Sequence, residues 1–176
     1  MNTKKVIFLD RDGVVNKDTG YVYKIDDFNF IDGVFESCLH FKKLGFDIII
    51  VTNQSGIGRG YFTDNDFIKL TKYMKNEFTK NKIEILDVFH CPHMPEDKCK
   101  CRKPEIGMIE QSQKLYKIDL KNSWMIGDKL SDIKLAVNAG IKNTILINSI
   151  YTNNQEKNLS NFVVDSLNET INIVKE

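Results

Sequence analysis

Short apolar runs rich in β-branched residues alternate with amphipathic stretches along this 176-residue chain. Residues 6–9, 46–52, 85–90, 123–127 and 144–147 are the apolar runs, and 162–164 adds a shorter one. Their length and flanking turn residues predict strands. Between them, apolar positions recur at helical spacing over 34–44, 105–116, 131–139 and 166–174. Gly45 and Gly140 stand where the first and third of these stretches should stop. A further helix is predicted to begin after Thr63, as N-cap with Asp66 near the third helical position, and to run to about Lys80. Strands that alternate with helices and are continuously apolar belong to a parallel sheet covered on both faces. The expected class is therefore α/β, and residues 1–176 are expected to form a single domain. Ligands of such sheets bind outside the carboxyl ends of the strands, so the residues that follow each strand carry the functional question.

Composition narrows the answer by exclusion. Apolar residues make up 41% of the chain and charged residues 28%, which excludes wholesale disorder. Lys and Arg total 25 against 24 Asp and Glu, a net charge of +1. No global field recruits nucleic acid or a membrane surface, so neither is expected as a partner. Four apolar residues after Lys4 and Lys5 are too few for a secretory core, and the run Ile48 to Val51 is far short of a membrane span. The expected location is the cytoplasm, and with no heptad pattern the expected state is a monomer.

The strand ends are chemically pointed. The first strand runs into Asp10-Arg11-Asp12-Gly13, and the second into Thr52-Asn53-Gln54-Ser55-Gly56. The third leads through a cysteine-rich segment to Arg102-Lys103-Pro104, and the fourth into Gly127-Asp128-Lys129, with Asp132 one turn on. One carboxylate after a strand is usually a cap or a turn; four such ends in one sheet suggest phosphoryl transfer. A carboxylate nucleophile can divide phosphate-ester hydrolysis through an aspartyl-phosphate. A second carboxylate two residues on can protonate the leaving alcohol and later accept a proton from water. An anionic nucleophile approaching a phosphate dianion needs a hard cation, for which Mg²⁺ held by Asp10 and Asp128 is suited. Thr52 and Lys103 are placed to hold the equatorial phosphoryl oxygens.

Three of the four cysteines cluster with a histidine, as Cys91-Pro92-His93 and, five residues on, Cys99-Lys100-Cys101. Without a secretory signal such a cluster reads as a metal site rather than as disulfides. Three thiolates and one imidazole suit a closed, tetrahedral, structural Zn²⁺. The surrounding loop is polar and has little else to order it.

The segments Asp10-Arg11-Asp12-Gly13-Val14-Val15-Asn16, Thr52-Asn53, Lys103 and Gly127-Asp128-Lys129-Leu130-Ser131-Asp132 resemble the four motifs of the haloacid dehalogenase (HAD) superfamily, over roughly residues 5–148. That resemblance implies a Rossmann-like HAD fold with little or no cap domain. It also implies Asp10 as nucleophile and Asp12 as general acid/base. Mg²⁺ would be held by Asp10, Asp128 and the Asp12 backbone carbonyl, and the phosphoryl group by Thr52 and Lys103. Asp132 is read either as a support for the site or as a first-turn carboxylate favoured by the helix dipole.

The Cys/His loop before Arg102-Lys103-Pro104 is similar to that of the heptose 1,7-bisphosphate 7-phosphatases and the related histidinol-phosphatases. Gly20-Tyr21-Val22, the extension of the second motif to Gly60, and Lys129 directly after Asp128 favour the heptose branch. Only five residues separate the two ligand pairs, and many heptose-branch members have a longer loop. The substrate implied is a small phosphorylated sugar, dephosphorylated at the 7-position on the way to nucleotide-activated heptose for surface polysaccharide. Histidinol phosphate is the alternative, and a non-catalytic zinc-stabilised module a more distant one. Asp18, Thr19, Gly20, Tyr21, Asn53, Gln54 and Ser55 match the family's substrate-contacting loops. Arg102 and Lys129 are suitable cations for a second phosphate. Cys38 and Trp124 are expected to pack, and His90 to be structural rather than a fifth metal ligand.

Overall fold

The computed structural model describes residues 2–149 and 158–175. Six parallel strands form one sheet in the order β3-β2-β1-β4-β5-β6. They are β1 (Val6–Leu9), β2 (Asp47–Asn53), β3 (Ile85–Cys91), β4 (Trp124–Gly127), β5 (Asn143–Ile147) and β6 (Phe162–Val164). The helices are α1 (Val34–Lys43), α2 (Ser55–Gly58), α3 (Asp64–Lys80), α4 (Gly107–Leu115) and α5 (Leu130–Ala139). This is the Rossmann-like arrangement expected from the sequence, a parallel sheet with helices on both faces.

The continuous apolar strands follow from two covered faces. Side chains alternate across a strand, and in β1 all four residues are fully buried. Ile7 and Leu9 join Ile48, Ile50 and Ile126 in a core closed by Phe41, Leu70, Met74 and Phe78. Val6 and Phe8 join Ile49, Val51 and Met125 on the other face, under Met108, Ile109, Leu135 and Ala136. Cys38 and Trp124 pack in the first of these cores.

Thr63 caps α3 as the sequence implies. Its hydroxyl accepts the Asp66 N–H at 3.2 Å, and the Asp66 carboxylate accepts the Thr63 N–H at 3.0 Å. Three elements depart from expectation. The helix expected from 105 begins at Gly107, because the Glu105 N–H is taken by the Arg102 carbonyl and the Gly107 N–H by that of Lys100. The expected terminal helix over 166–174 is a 3₁₀ turn, Leu167–Asn172, in which the Thr170 hydroxyl donates to the Leu167 carbonyl. Finally, α2 has two glycines in four residues, which propensity alone would not make helical. Gly56 is there because a Cβ would stand 2.2 Å from the Phe62 ring.

The β1–β2 connection contains only a 3₁₀ turn, Ile25–Asp27, and α1. The carboxyl ends of β1, β2 and β4 are therefore left open to one cleft.

Candidate active site

The cleft encloses about 330 Å³ at the carboxyl ends of the strands. Asp10 extends β1, its N–H bonded to the Ile126 carbonyl of β4 at 3.1 Å. Thr52 is the penultimate residue of β2, Asp128 follows β4, and Lys103 follows the cysteine loop. Asp10, Thr52, Lys103 and Asp128 are all at most 5% exposed. Lys103 is the hub: its Nζ lies 2.8 Å from Asp10 Oδ1 and 2.6 Å from Asp132 Oδ1, and it donates to the Val51 carbonyl at 2.9 Å. Asp132 thus fills both roles the sequence left open. Its second oxygen accepts the Lys129 N–H at the start of α5, at 3.1 Å.

The carboxyl oxygens of Asp10, Asp128 and Asp132 converge within 4.8 Å. Burial and mutual repulsion show in the acidity of Asp10 and Asp128. Asp10 is pushed up to about 6, by burial against the opposing pull of Lys103. Burial, then the Asp10 charge, pushes Asp128 up to about 8. Burial disfavours the Lys103 ammonium, but Asp10 and Asp132 outweigh it and hold the lysine above its ordinary value. Asp128 Oδ1 is buried and has no hydrogen-bond partner among the described residues. An orphaned carboxylate oxygen in a crowd of carboxylates is the donor set a hard divalent cation relieves. The residues therefore fit Mg²⁺. Gly13 is required beside it: its φ is +92°, and a Cβ there would stand 2.3 Å from Asp128 Oδ2.

Asp12, two residues past Asp10, is partly buried and held from three directions. Gln54 Nε2 donates to Oδ2 at 2.8 Å and also to Thr52 Oγ1 at 2.8 Å. Asn16 Nδ2 and the Arg11 guanidinium supply the remaining donors. Sequence reasoning assigned no role to Arg11 or Asn16. The signal was an arginine between two motif carboxylates, a position a sheet core rarely gives to a charge.

The rim comes from the loop 18–23 and from 53–56. Asp18, Gly20, Tyr21, Asn53, Gln54, Ser55, Arg102 and Lys129 line the cleft with Asp10, Asp12, Thr52 and Lys103. Lys129 Nζ lies 3.0 Å from Asp18 Oδ2, and that pair draws the loop down onto the site. Burial opposes ionisation of Asp18, but Lys129 outweighs it and holds the carboxyl below its ordinary range. Thr19 is exposed and does not line the cleft, because Gly20 N–H bonds Asp18 Oδ1 at 3.1 Å and leaves Thr19 at the tip of the turn. Asn53 lines the cleft, but its amide is engaged on both sides of Lys103. It accepts the Lys103 N–H at 3.0 Å and donates to the Lys103 carbonyl at 3.3 Å. Gly56 and Ser131 also line the cleft, beyond the residues expected.

Cys91, His93, Cys99 and Cys101 form one cluster, with sulfur–sulfur distances of 3.2–3.5 Å and His93 Nδ1 3.2 Å from Cys101 Sγ. These are far beyond a disulfide bond. They are a few tenths of an ångström inside the roughly 3.8 Å edge of a zinc–thiolate tetrahedron, so the donor set fits zinc. Burial raises the Cys91 thiol. Burial acts the same way on Cys99, but hydrogen bonds led by that of the Cys101 backbone outweigh it and bring Cys99 down to about 7. Arg102 donates to the His93 carbonyl at 3.4 Å, which ties the cluster to the residue before Lys103. His90 lies outside it, stacked on Phe67 and 3.4 Å from Asp64.

A HAD-hydrolase-like family model matches residues 100–170. The chain is similar to the D-glycero-alpha-D-manno-heptose-1,7-bisphosphate 7-phosphatase of Campylobacter jejuni, 46% identical, covering 98% of this chain and 96% of that protein. It is 47% identical to the D-glycero-beta-D-manno-heptose-1,7-bisphosphate 7-phosphatase of Helicobacter pylori, covering 84% of this chain and 86% of that one. The D,D-heptose 1,7-bisphosphate phosphatase of B. bronchiseptica, solved with magnesium and phosphate, superposes with a TM-score of 0.82 at 29% identity, covering 96% and 97%. Fold and site together define a HAD-type phosphoric monoester hydrolase. Within that class, the chain belongs to the D-glycero-D-manno-heptose-1,7-bisphosphate 7-phosphatase family. The histidinol-phosphatase alternative is not favoured by these relatives.

Proposed function

We propose that this protein removes the 7-phosphate of a D-glycero-D-manno-heptose 1,7-bisphosphate. The observation that carries the reading is the convergence of Asp10, Asp12, Thr52 and Lys103 on one cleft, with Asp128 against Asp10, in a chain of this family. Asp10 Oδ1 is held by the Arg11 N–H at 2.7 Å and by Lys103, which leaves Oδ2 as the nucleophile. Oδ2 attacks phosphorus, the bond from phosphorus to the sugar oxygen breaks, and that oxygen takes a proton from Asp12. Water then attacks the aspartyl-phosphate and gives its proton to Asp12, releasing phosphate and restoring Asp10. Thr52 Oγ1 and Lys103 Nζ hold the equatorial oxygens as charge spreads over them.

Asp10, Asp128 and the Asp12 carbonyl hold Mg²⁺, which when bound offsets the charge of nucleophile and phosphoryl group. Arg102 and Lys129 receive the 1-phosphate, and Asp18, Gly20, Tyr21, Gln54 and Ser55 surround the sugar. Zn²⁺ on Cys91, His93, Cys99 and Cys101 orders the loop that delivers Arg102 and Lys103. The enzyme acts as a monomer of one domain in the cytoplasm, a reading supported by the balanced charge and by a sheet whose two faces are both covered. No helix among the described residues is long and apolar enough to cross a membrane.

The test is phosphate release with Mg²⁺ from the alpha and beta heptose 1,7-bisphosphates and from histidinol phosphate, side by side. Strong turnover of either heptose anomer with little from histidinol phosphate is expected. Preference for histidinol phosphate would overturn the assignment.

A further inference from the structure

Arg11 is among the largest fully buried side chains of the protein, 1% exposed at the head of the catalytic cleft. Burying a guanidinium is costly unless its donors are met. Here its Nε and Nη2 reach Asp12 Oδ1 at 3.2 and 2.9 Å, and Nη2 also reaches Asp12 Oδ2 at 2.9 Å. Nη2 donates to the Val22 carbonyl as well, at 2.8 Å. The guanidinium carbon lies 6.0 Å from the ring centre of Phe28 and 5.9 Å from that of Phe67, both rings buried. The cation thus sits over two aromatic rings, whose faces favour its charge.

The grip is unequal between the two oxygens. Asp12 Oδ1 accepts from Arg11 Nε, Arg11 Nη2 and Asn16 Nδ2, the last at 3.0 Å. Oδ2 accepts from Arg11 Nη2 and Gln54 Nε2. Oδ1 is therefore the anchored oxygen. Oδ2 has one donor fewer, and Gln54 Nε2 is shared between it and Thr52, so Oδ2 is the oxygen that can exchange a donor for the travelling proton. We infer that Arg11 is a positioning residue for the general acid/base: it fixes the Asp12 carboxylate in one rotamer, assigns the proton to Oδ2, and ties that carboxylate to the substrate loop through Val22. This inference rests on the role proposed above for Asp12.

The experiment uses leaving groups that differ in their need for a proton. Release of a sugar alkoxide needs the acid; release of p-nitrophenolate does not. For either substrate, kcat/KM covers the steps up to the first irreversible one, loss of the leaving group. It would be measured with Mg²⁺ on heptose 1,7-bisphosphate and on p-nitrophenyl phosphate, for the wild type, Asp12→Asn, Arg11→Met and Arg11→Lys. Circular dichroism and thermal unfolding would confirm folding, with Arg11→Lys carrying the test if Arg11→Met does not fold. Arg11→Met is expected to lose roughly 10²-fold on the sugar phosphate and less than about tenfold on p-nitrophenyl phosphate, in parallel with Asp12→Asn. Arg11→Lys keeps the charge but cannot grip both oxygens, and is expected to show the same pattern. If Asp12→Asn shows the differential but the Arg11 variants lose equally on both substrates, or Arg11→Lys keeps full activity, the positioning role is refuted and the proposed mechanism stands. If Asp12→Asn itself loses equally on both, the acid/base assignment falls and the role of Arg11 falls with it.

Discussion

Gly13→Ala probes the geometry of the cation site directly. Two separable penalties follow from the structure. The first is backbone strain: Gly13 has φ +92°, a region that costs an L-residue roughly 1–2 kcal/mol. The second is a collision, because the new Cβ would stand 2.3 Å from Asp128 Oδ2 and 2.6 Å from its Cγ. The carboxylate would have to retreat by nearly an ångström within a packed site, an overpacking cost of about 1–3 kcal/mol. Gly45 supplies the control: its φ is +79°, and nothing lies within 4 Å of an added Cβ. Gly45→Ala should therefore cost about 1–2 kcal/mol, and Gly13→Ala about 2–5 kcal/mol. In a domain of this size each kcal/mol lowers Tm by roughly 2–4 °C. Urea unfolding of both variants without divalent cations reads the difference. Calorimetric titration with Mg²⁺ reads the consequence, an affinity at least about tenfold weaker in Gly13→Ala and unchanged in Gly45→Ala. Equal destabilisation of the two variants, with Mg²⁺ affinity intact in both, would show that Asp128 is not held where the argument needs it.

Three other outcomes are expected. Asp10→Asn should abolish phosphate release while leaving the unfolding transition intact, since it removes a charge from three crowded carboxylates; wild-type turnover would refute Asp10 as nucleophile. Binding of Mg²⁺ should release protons. Without the cation Asp128 titrates near 8 and Asp10 near 6, both above the usual 3.8, so below pH 8 a bound proton competes with the cation. Affinity should therefore rise with pH toward 8, with about one proton released near pH 7 and almost none at pH 9.5; calorimetry in buffers of different ionisation enthalpy measures this, and a pH-independent affinity would contradict it. Stripping zinc, or Cys99→Ser, should speed amide exchange over residues 91–103 and lower kcat/KM with Mg²⁺ affinity unchanged; unaltered exchange and kinetics in a zinc-free protein would end the structural-zinc reading.

Local pattern was enough to place the sheet and the carboxylates at its edge. Val6 to Leu9 and Ile48 to Val51 could be read as buried strands because burial on both faces leaves no polar position in the pattern. Asp10, Thr52 and Asp128 were legible because each directly follows or ends such a strand, so local order in the chain fixes their place. The cysteine cluster was legible from spacing, since its four donors lie within eleven residues. Less was legible where a residue's role depends on a partner distant in sequence. No helix was expected at Gly56 and Gly58, yet α2 forms because Phe62 closes over Gly56 and Gly58 bonds the Pro92 carbonyl. Asn53 read as a substrate contact, and only folding shows its amide engaged with Lys103, fifty positions away. Arg11 carried no assignment until Phe28 and Phe67 were seen walling it in and Asp12 was seen in its fork. Patterns of burial are written locally because backbone geometry repeats every two or 3.6 residues. Which charge meets which is decided by loops converging at one edge of the sheet, and no local period encodes that.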